Sequence, residues 1–259
     1  MNGPKGCRVG AWPATHGNGV RKAESPPMED RKKPGIEFRL PSDCRRLVIV
    51  GAGGFGREVL QWARDAWPGH GELIAGFLSD DPRRLDGFST GLEILGPVEA
   101  YEKRSGDYLL LAIGVAYSRR MVAERLIAQG AEFATLVHPT AVVAASARIG
   151  RGSIVCPGAI VSDSATLGVC VLVNYHASFG HDSSAGDFAV LSPYATLGGG
   201  AAIGDDVFLG LHASVGPGRS VGARSKVSAN SCVLSDTPAD SIIYGVPGRI
   251  VPRVEVGTR

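Results

Sequence analysis

The chain has 259 residues and a net charge of only +2, enough length for one or two domains. Residues 1–45 hold nine Lys/Arg against five Asp/Glu and the remainder 18 against 20, a balance that argues against a nucleic-acid-binding body. No apolar run approaches the ~20 residues of a membrane span and no signal-type stretch opens the chain. Five scattered cysteines (Cys7, Cys44, Cys156, Cys170, Cys232) then read as free thiols of a reducing, cytoplasmic protein.

Residues 1–44 are rich in Gly, Pro and charge without periodicity, and are expected to be a disordered tail. From residue 45 the pattern changes. Leu47–Val50 predicts a short strand running into Gly51-Ala52-Gly53-Gly54-Phe55-Gly56, and Arg57–Ala66 predicts a helix with Val59, Leu60 and Ala63 on one face. A second strand, Leu73–Leu78, ends at Asp80 and Asp81; a third, Tyr108–Ile113, ends at Gly114. Arg119–Gln129 predicts a second helix closed by Gly130, and Phe133–Val137 a fourth strand. Strand–helix alternation makes residues 45–135 a small parallel α/β domain of Rossmann-like type, too short for a full dinucleotide fold.

The remainder is a repeat. From Val137 to Val233 seventeen apolar or small residues recur every six residues without one insertion, among them Val155, Val161, Phe179, Leu197 and Val215. A small residue stands four places after most of them, as at Ala141, Ser153 and Ala177, and Gly often follows directly, as at Gly150, Gly168, Gly180 and Gly198. A period of six fits neither a helix nor plain strand alternation. It fits a parallel β-helix in which each hexad forms one flat side, its apolar residue inward and its glycine helping the chain turn. Residues 136–252 form this second domain, closed by the Tyr244–Arg249 turn. Flat coil faces invite packing against further copies.

Two motifs carry chemistry. Gly51–Gly56 fits G-x-G-x-x-G between a strand and a helix, a cradle for phosphate or pyrophosphate, and Asp80 and Asp81 stand where a ribose or base contact belongs. On the solenoid, the densest polar stretch is Asn174–Ser184. Within it His181 precedes Asp182, a general base beside a carboxylate that fixes its tautomer, with Asp187 as the second choice of partner. His176 and His212 read as ordinary surface or core residues. No metal-binding spacing and no nucleophile elbow occurs.

The hexad array, FGHDSSAGDF (179–188), LSPYATLGGGAAIGDDVFLG (191–210), the YGVPGRIV ending and the N-terminal VGAGGFGREVL resemble the hexapeptide-repeat sugar acyltransferases of the sialic acid O-acetyltransferase type. The resemblance covers about residues 46–252. It implies a left-handed β-helix, a homotrimer, acetyl-CoA as co-substrate without a metal, and a nucleotide-sugar acceptor, with N- or O-acetylation left open. It places His181 on the catalytic base and Asp182 on its acidic neighbour. Asn174 falls in the acceptor pocket, and Gly53, Gly54, Asp80, Asp81 and Gly114 on the nucleotide-holding loops. Gly199 falls beside the CoA thioester, with Leu211 and Ala229 as further cofactor positions. Two departures bear on the sugar: Ala116 where many relatives carry Asn, and Val190 where many carry His. The competing readings are an acyltransferase for a non-nucleotide acceptor and a non-catalytic or γ-carbonic-anhydrase-like solenoid using His176, His181 and His212.

Overall fold

A two-residue strand recurs every six residues in the computed structural model, which describes residues 40–253. The tail expected over residues 1–44 lies, up to residue 39, outside the described residues, as does Cys7.

The first body is a four-stranded parallel sheet in the order β3-β2-β1-β4, formed by β1 (Arg46–Val50), β2 (Ile74–Leu78), β3 (Ile94–Gly96) and β4 (Asp107–Leu111). Helices α1 (Gly54–Ala66) and α2 (Ala116–Ala128) cross over between strands. Both helices begin three residues before the expected positions, so Gly54 and Gly56 belong to the first turn of α1 and not to a loop. The edge strand β3 escapes the sequence pattern because it is three residues long. Phe133 only bridges to Leu109, and Leu136–Val137 pairs with the solenoid; the expected fourth strand over Phe133–Val137 is therefore split between the two bodies.

Strands β5 (Leu136–Val137) to β21 (Cys232–Val233) are seventeen hexads wound into a three-sided prism. Each strand pairs in parallel with the one 18 residues later, as Leu172 does with Val190 and Phe208 with Lys226. Face 1 starts with β5, face 2 with β6 (Val142–Val143) and face 3 with β7 (Arg148–Ile149). The hairpin β22 (Ser241–Tyr244) and β23 (Arg249–Pro252) closes face 1. Inward positions such as Val155, Val161, Phe179, Leu191, Leu197 and Leu209 fill one continuous core with the small Ala159, Ala177, Ala195 and Ala213. A large apolar side chain contributes about 1.5–3 kcal/mol on burial, so each hexad adds a favourable term to the rod.

The glycines after the apolar residues act otherwise than the repeat suggested. The backbone turns three places after the apolar residue, where Ser164, His176, Asp182, Tyr194, Asp206 and His212 all hold φ between 54° and 61°. Gly168, Gly180 and Gly186 are needed because a Cβ there would come within 2.9 Å of the backbone of the next coil. They permit close stacking of coils; they do not make the corner.

The α/β body covers face 1. Its Leu47, Leu60, Trp62 and Leu110 share one core with the outward-pointing Ile154, Leu172 and Val190 of that face. Arg119 of α2 is wholly buried at the same junction: it donates to the carbonyls of Leu111 and Ile113 at the end of β4 and to the carbonyl of Cys170 on the solenoid. Burial pulls its pKa down to about 10. The outward positions of the other two faces are mostly small and polar, including Ser178, Thr196, Thr166 and Ser184, but Val142 and Ile160 leave an exposed apolar strip on the first coils of face 2. The most apolar face is thus covered within the chain, and the exposed apolar surface left for association on the prism includes Val142 and Ile160 of face 2. No described helix is long and apolar enough to cross a membrane, and Cys44, Cys156, Cys170 and Cys232 are free thiols.

Candidate functional site

His181 and Asp182 occupy the corner between faces 2 and 3. Successive residues of a strand point to opposite faces, which would separate them. At the corner Asp182 adopts φ 58°, and its Oδ2 comes 2.8 Å from Nδ1 of His181. A carboxylate only accepts, so this contact makes Nδ1 the donor and leaves Nε2 as the ring nitrogen available to a ligand. Both side chains are about two-thirds exposed (69% and 65%), so the pair is open to a ligand. Directly above lies Gly199, 18 residues on. A Cβ there would stand 2.4 Å from Nε2, so only glycine leaves that nitrogen clear. The structure thus brings His181, Asp182 and Gly199 together.

Other expected residues lie elsewhere. Asp187 sits at the corner between faces 3 and 1, where its Oδ1 accepts from the N–H of Val169; it does not reach His181. Asn174 begins the bend from face 1 to face 2 and accepts from the N–H of Tyr175, a full face away from His181 in the same chain. Leu211 and Ala229 stack on that same corner, both exposed. There His176, Tyr194 and His212 form a ladder of near-parallel rings, with centroids 5.0 and 4.8 Å apart. Tyr194 stands between the two imidazoles, so His176 and His212 do not converge on an ion with His181, and among the described residues no His/Cys/Asp/Glu group has metal-binding geometry.

The second candidate region is the C-terminal edge of the α/β sheet. Gly51 turns at φ 103° with its N–H on the carbonyl of Leu78, and a Cβ there would strike the Ala112 carbonyl at 2.8 Å. A Cβ on Gly56 would overlap the Gly51 carbonyl, so this glycine serves close helix–strand packing. Gly53 and Gly54 differ: their Cβ positions meet only the Arg84 and Arg57 side chains beyond 3.5 Å, and Gly114 meets nothing. These three positions are open, as close approach of a phosphate requires. Arg84 adds a cation beside the turn. No sequence motif marks it, because it lies 30 residues beyond Gly54, in an irregular loop. Asp80 and Asp81 are exposed but partly used: Asp80 accepts from the N–H of Val98, and Asp81 from that of Arg83.

Comparison with known proteins follows the same two-part division. The PglD N-terminal domain family matches residues 46–126. A UDP-N-acetylbacillosamine N-acetyltransferase of Bacillus subtilis is 34% identical over 119 residues, covering 43% of this chain and 51% of the relative. The chain thus matches about half the length of that curated relative. A perosamine N-acetyltransferase from Caulobacter crescentus, solved with CoA and GDP-perosamine, is 28% identical with a TM-score of 0.71, over 80% of this chain and 96% of that one. The acetyltransferase domain of PglB from Neisseria gonorrhoeae, solved with acetyl coenzyme A, gives the same TM-score of 0.71 and 28% identity over 80% and 100%. Residues 46–126 thus match a PglD-type N-terminal domain, and the domain packed on its hexapeptide-repeat prism is similar in fold to these solved acetyltransferases.

Proposed function

We propose that the protein transfers an acetyl group from acetyl-CoA to an amino or hydroxyl group of a nucleotide-linked sugar, in the cytoplasm, with His181 as general base. The observation that carries this reading is the exposed His181–Asp182 pair beneath Gly199, in which Asp182 engages Nδ1 and Nε2 has no partner among the described residues. The solved relatives that bind CoA, acetyl coenzyme A and GDP-perosamine support the choice of donor and acceptor class.

In this mechanism Nε2 takes the proton from the acceptor nitrogen or oxygen as that atom attacks the thioester carbonyl. Asp182 stabilises the imidazolium that forms. As the tetrahedral intermediate collapses, the C–S bond breaks and the imidazolium returns its proton to the departing CoA sulfur. The Gly199 N–H, which no hydrogen bond among the described residues uses, is the candidate donor to the oxyanion, a contact typically worth ~3 kcal/mol. The diphosphate rests on the open turn at Gly53 and Gly54, near Arg84.

The α/β body packs on face 1, and His181 stands on the corner opposite that face. The nucleotide edge of one copy is therefore completed by the His181 corner of another, which adds a reason to propose a homotrimer. The test is acetyl-CoA consumption by the full chain against UDP-, GDP- and dTDP-linked amino sugars, with light scattering for the assembly. We expect turnover with one nucleotide series and a mass of three chains. A monodisperse single chain with full activity removes the shared site, and acetylation of free amino sugars in preference to every nucleotide-linked one removes the acceptor class.

A further inference from the structure

Face 1 changes character along its length. Its outward side chains Ile154, Leu172 and Val190 are sealed under the α/β body, but the next two, Phe208 and Lys226, are half-buried and exposed. There the first turn of α2 and the late coils stand apart around a cavity of about 620 Å³. This lies within the ~300–1,000 Å³ typical of small-molecule sites.

The walls of the cavity are of two kinds. Val115, the N-cap of α2, and Tyr117 in its first turn, exposed by 60% and 66%, line the cavity with Phe208 and make an aromatic and aliphatic side. The cationic side is mostly committed: Arg120 is held by Asp206, Arg224 by Asp240, and Arg253 donates to the carbonyl of Arg224. Lys226 is the exception. Its contact is with the Phe208 ring, 5.8 Å from the centroid, and no described carboxylate pairs with it. An exposed aromatic side with one uncommitted donor suits a ring that is apolar on one face and oxygen-bearing at its edge, which describes a pyranose.

Position along the sheet edge agrees. The strand order β2-β1-β4 puts Asp80 and Asp81, the open glycine turn and Gly114 in a row. A nucleotide read at the end of β2, with its diphosphate at the α1 turn, runs its third component past β4 toward Val115–Tyr117. We propose that this cavity receives the glycosyl end of the nucleotide-linked sugar, with Tyr117 and Phe208 against the sugar's apolar face and Lys226 donating to its oxygens. The proposal rests on the nucleotide-sugar reading above and adds to it the residues that select the sugar.

The test separates the sugar from the nucleotide. Tyr117→Ala and Lys226→Met are surface changes whose folding is checked by thermal melting. Binding of UDP or GDP alone, and of the matching nucleotide amino sugar, is measured by calorimetry, and KM for the nucleotide sugar and for acetyl-CoA by steady-state kinetics. Each variant is expected to weaken nucleotide-sugar binding and raise its KM about tenfold, with bare nucleotide and acetyl-CoA changed by less than about twofold. Equal weakening of the bare nucleotide places its base or phosphates in the cavity and overturns the proposal. Unchanged sugar binding in both variants overturns it as well. A wild-type chain that binds no nucleotide sugar defeats the function itself, an outcome distinct from either.

Discussion

Two corners of the same prism carry histidines with different surroundings. At one, His176 and His212 take the left-handed turn position themselves, at φ 57° and 54°, and their rings stack on Tyr194. At the other, His181 sits one place earlier; Asp182 takes the turn position and Gly199 occupies the next coil. The first arrangement buries ring faces against each other. The second leaves a ring nitrogen clear and pairs the other with a carboxylate. In a solenoid, a side chain's chemistry is set by its neighbour 18 residues away as much as by its neighbour in sequence.

The largest effect expected from this contrast is at His181. His181→Ala should lower kcat by roughly 10²–10⁴-fold with little change in substrate KM, because the imidazole acts chiefly in the transition state. Near-normal turnover in this variant, on whichever acceptor proves active, would remove the base. Gly199→Val comes next. Its Cβ would lie within 2.4 Å of Nε2, so the ring must move, and displacement on that scale costs about 10²-fold in kcat. Steady-state rates at saturating acetyl-CoA decide it; an unimpaired variant means that Nε2 is not the working atom.

Much of this contrast was invisible before the coils were stacked. The hexads were legible because each repeats one local rule: an apolar residue inward, a small residue to fit beside it. The sequence also marks His181 next to Asp182, since neighbours at a corner meet without help from elsewhere. The proximity of Gly199 to Nε2, the ladder through Tyr194 and the true task of Gly168 and Gly180 all depend on contacts between coils. The same limit hid the cavity, whose Tyr117 and Lys226 come from different bodies. It also placed the start of α1 too late, because the N-cap Gly53 provides no side-chain signal.

Asp182→Asn sharpens the comparison from the carboxylate side. Asn tolerates the left-handed φ of 58°, so the corner is kept and only the charge is lost. An amide can donate as well as accept, which frees His181 to hold its proton on Nε2, the wrong nitrogen for a base. Loss of such an orienting partner typically costs about 10–100-fold, here in kcat and less than His181→Ala. A loss equal to that of His181→Ala would make the carboxylate a direct participant.

The smallest expected effect lies on the ladder, and it tests whether the two corners differ as described. Tyr194→Asn removes the ring between His176 and His212 and keeps a residue suited to φ 61°, as Asn230 already occupies the same column at φ 55°. Two stacked contacts disappear, each worth about 0.5–1.5 kcal/mol. The rings are partly solvated, with Tyr194 46% exposed, which favours the lower end of that range. A net loss of about 1 kcal/mol corresponds to a fall in Tm of about 2–4 °C for a chain of this size. Turnover should stay within about twofold, because among the described residues neither His176 nor His212 has the carboxylate partner that His181 has in Asp182. Thermal melting and kcat measured on one preparation decide the matter. If kcat collapses while Tm is unchanged, the ladder belongs to the chemistry, and the division between a structural corner and a reactive one is wrong.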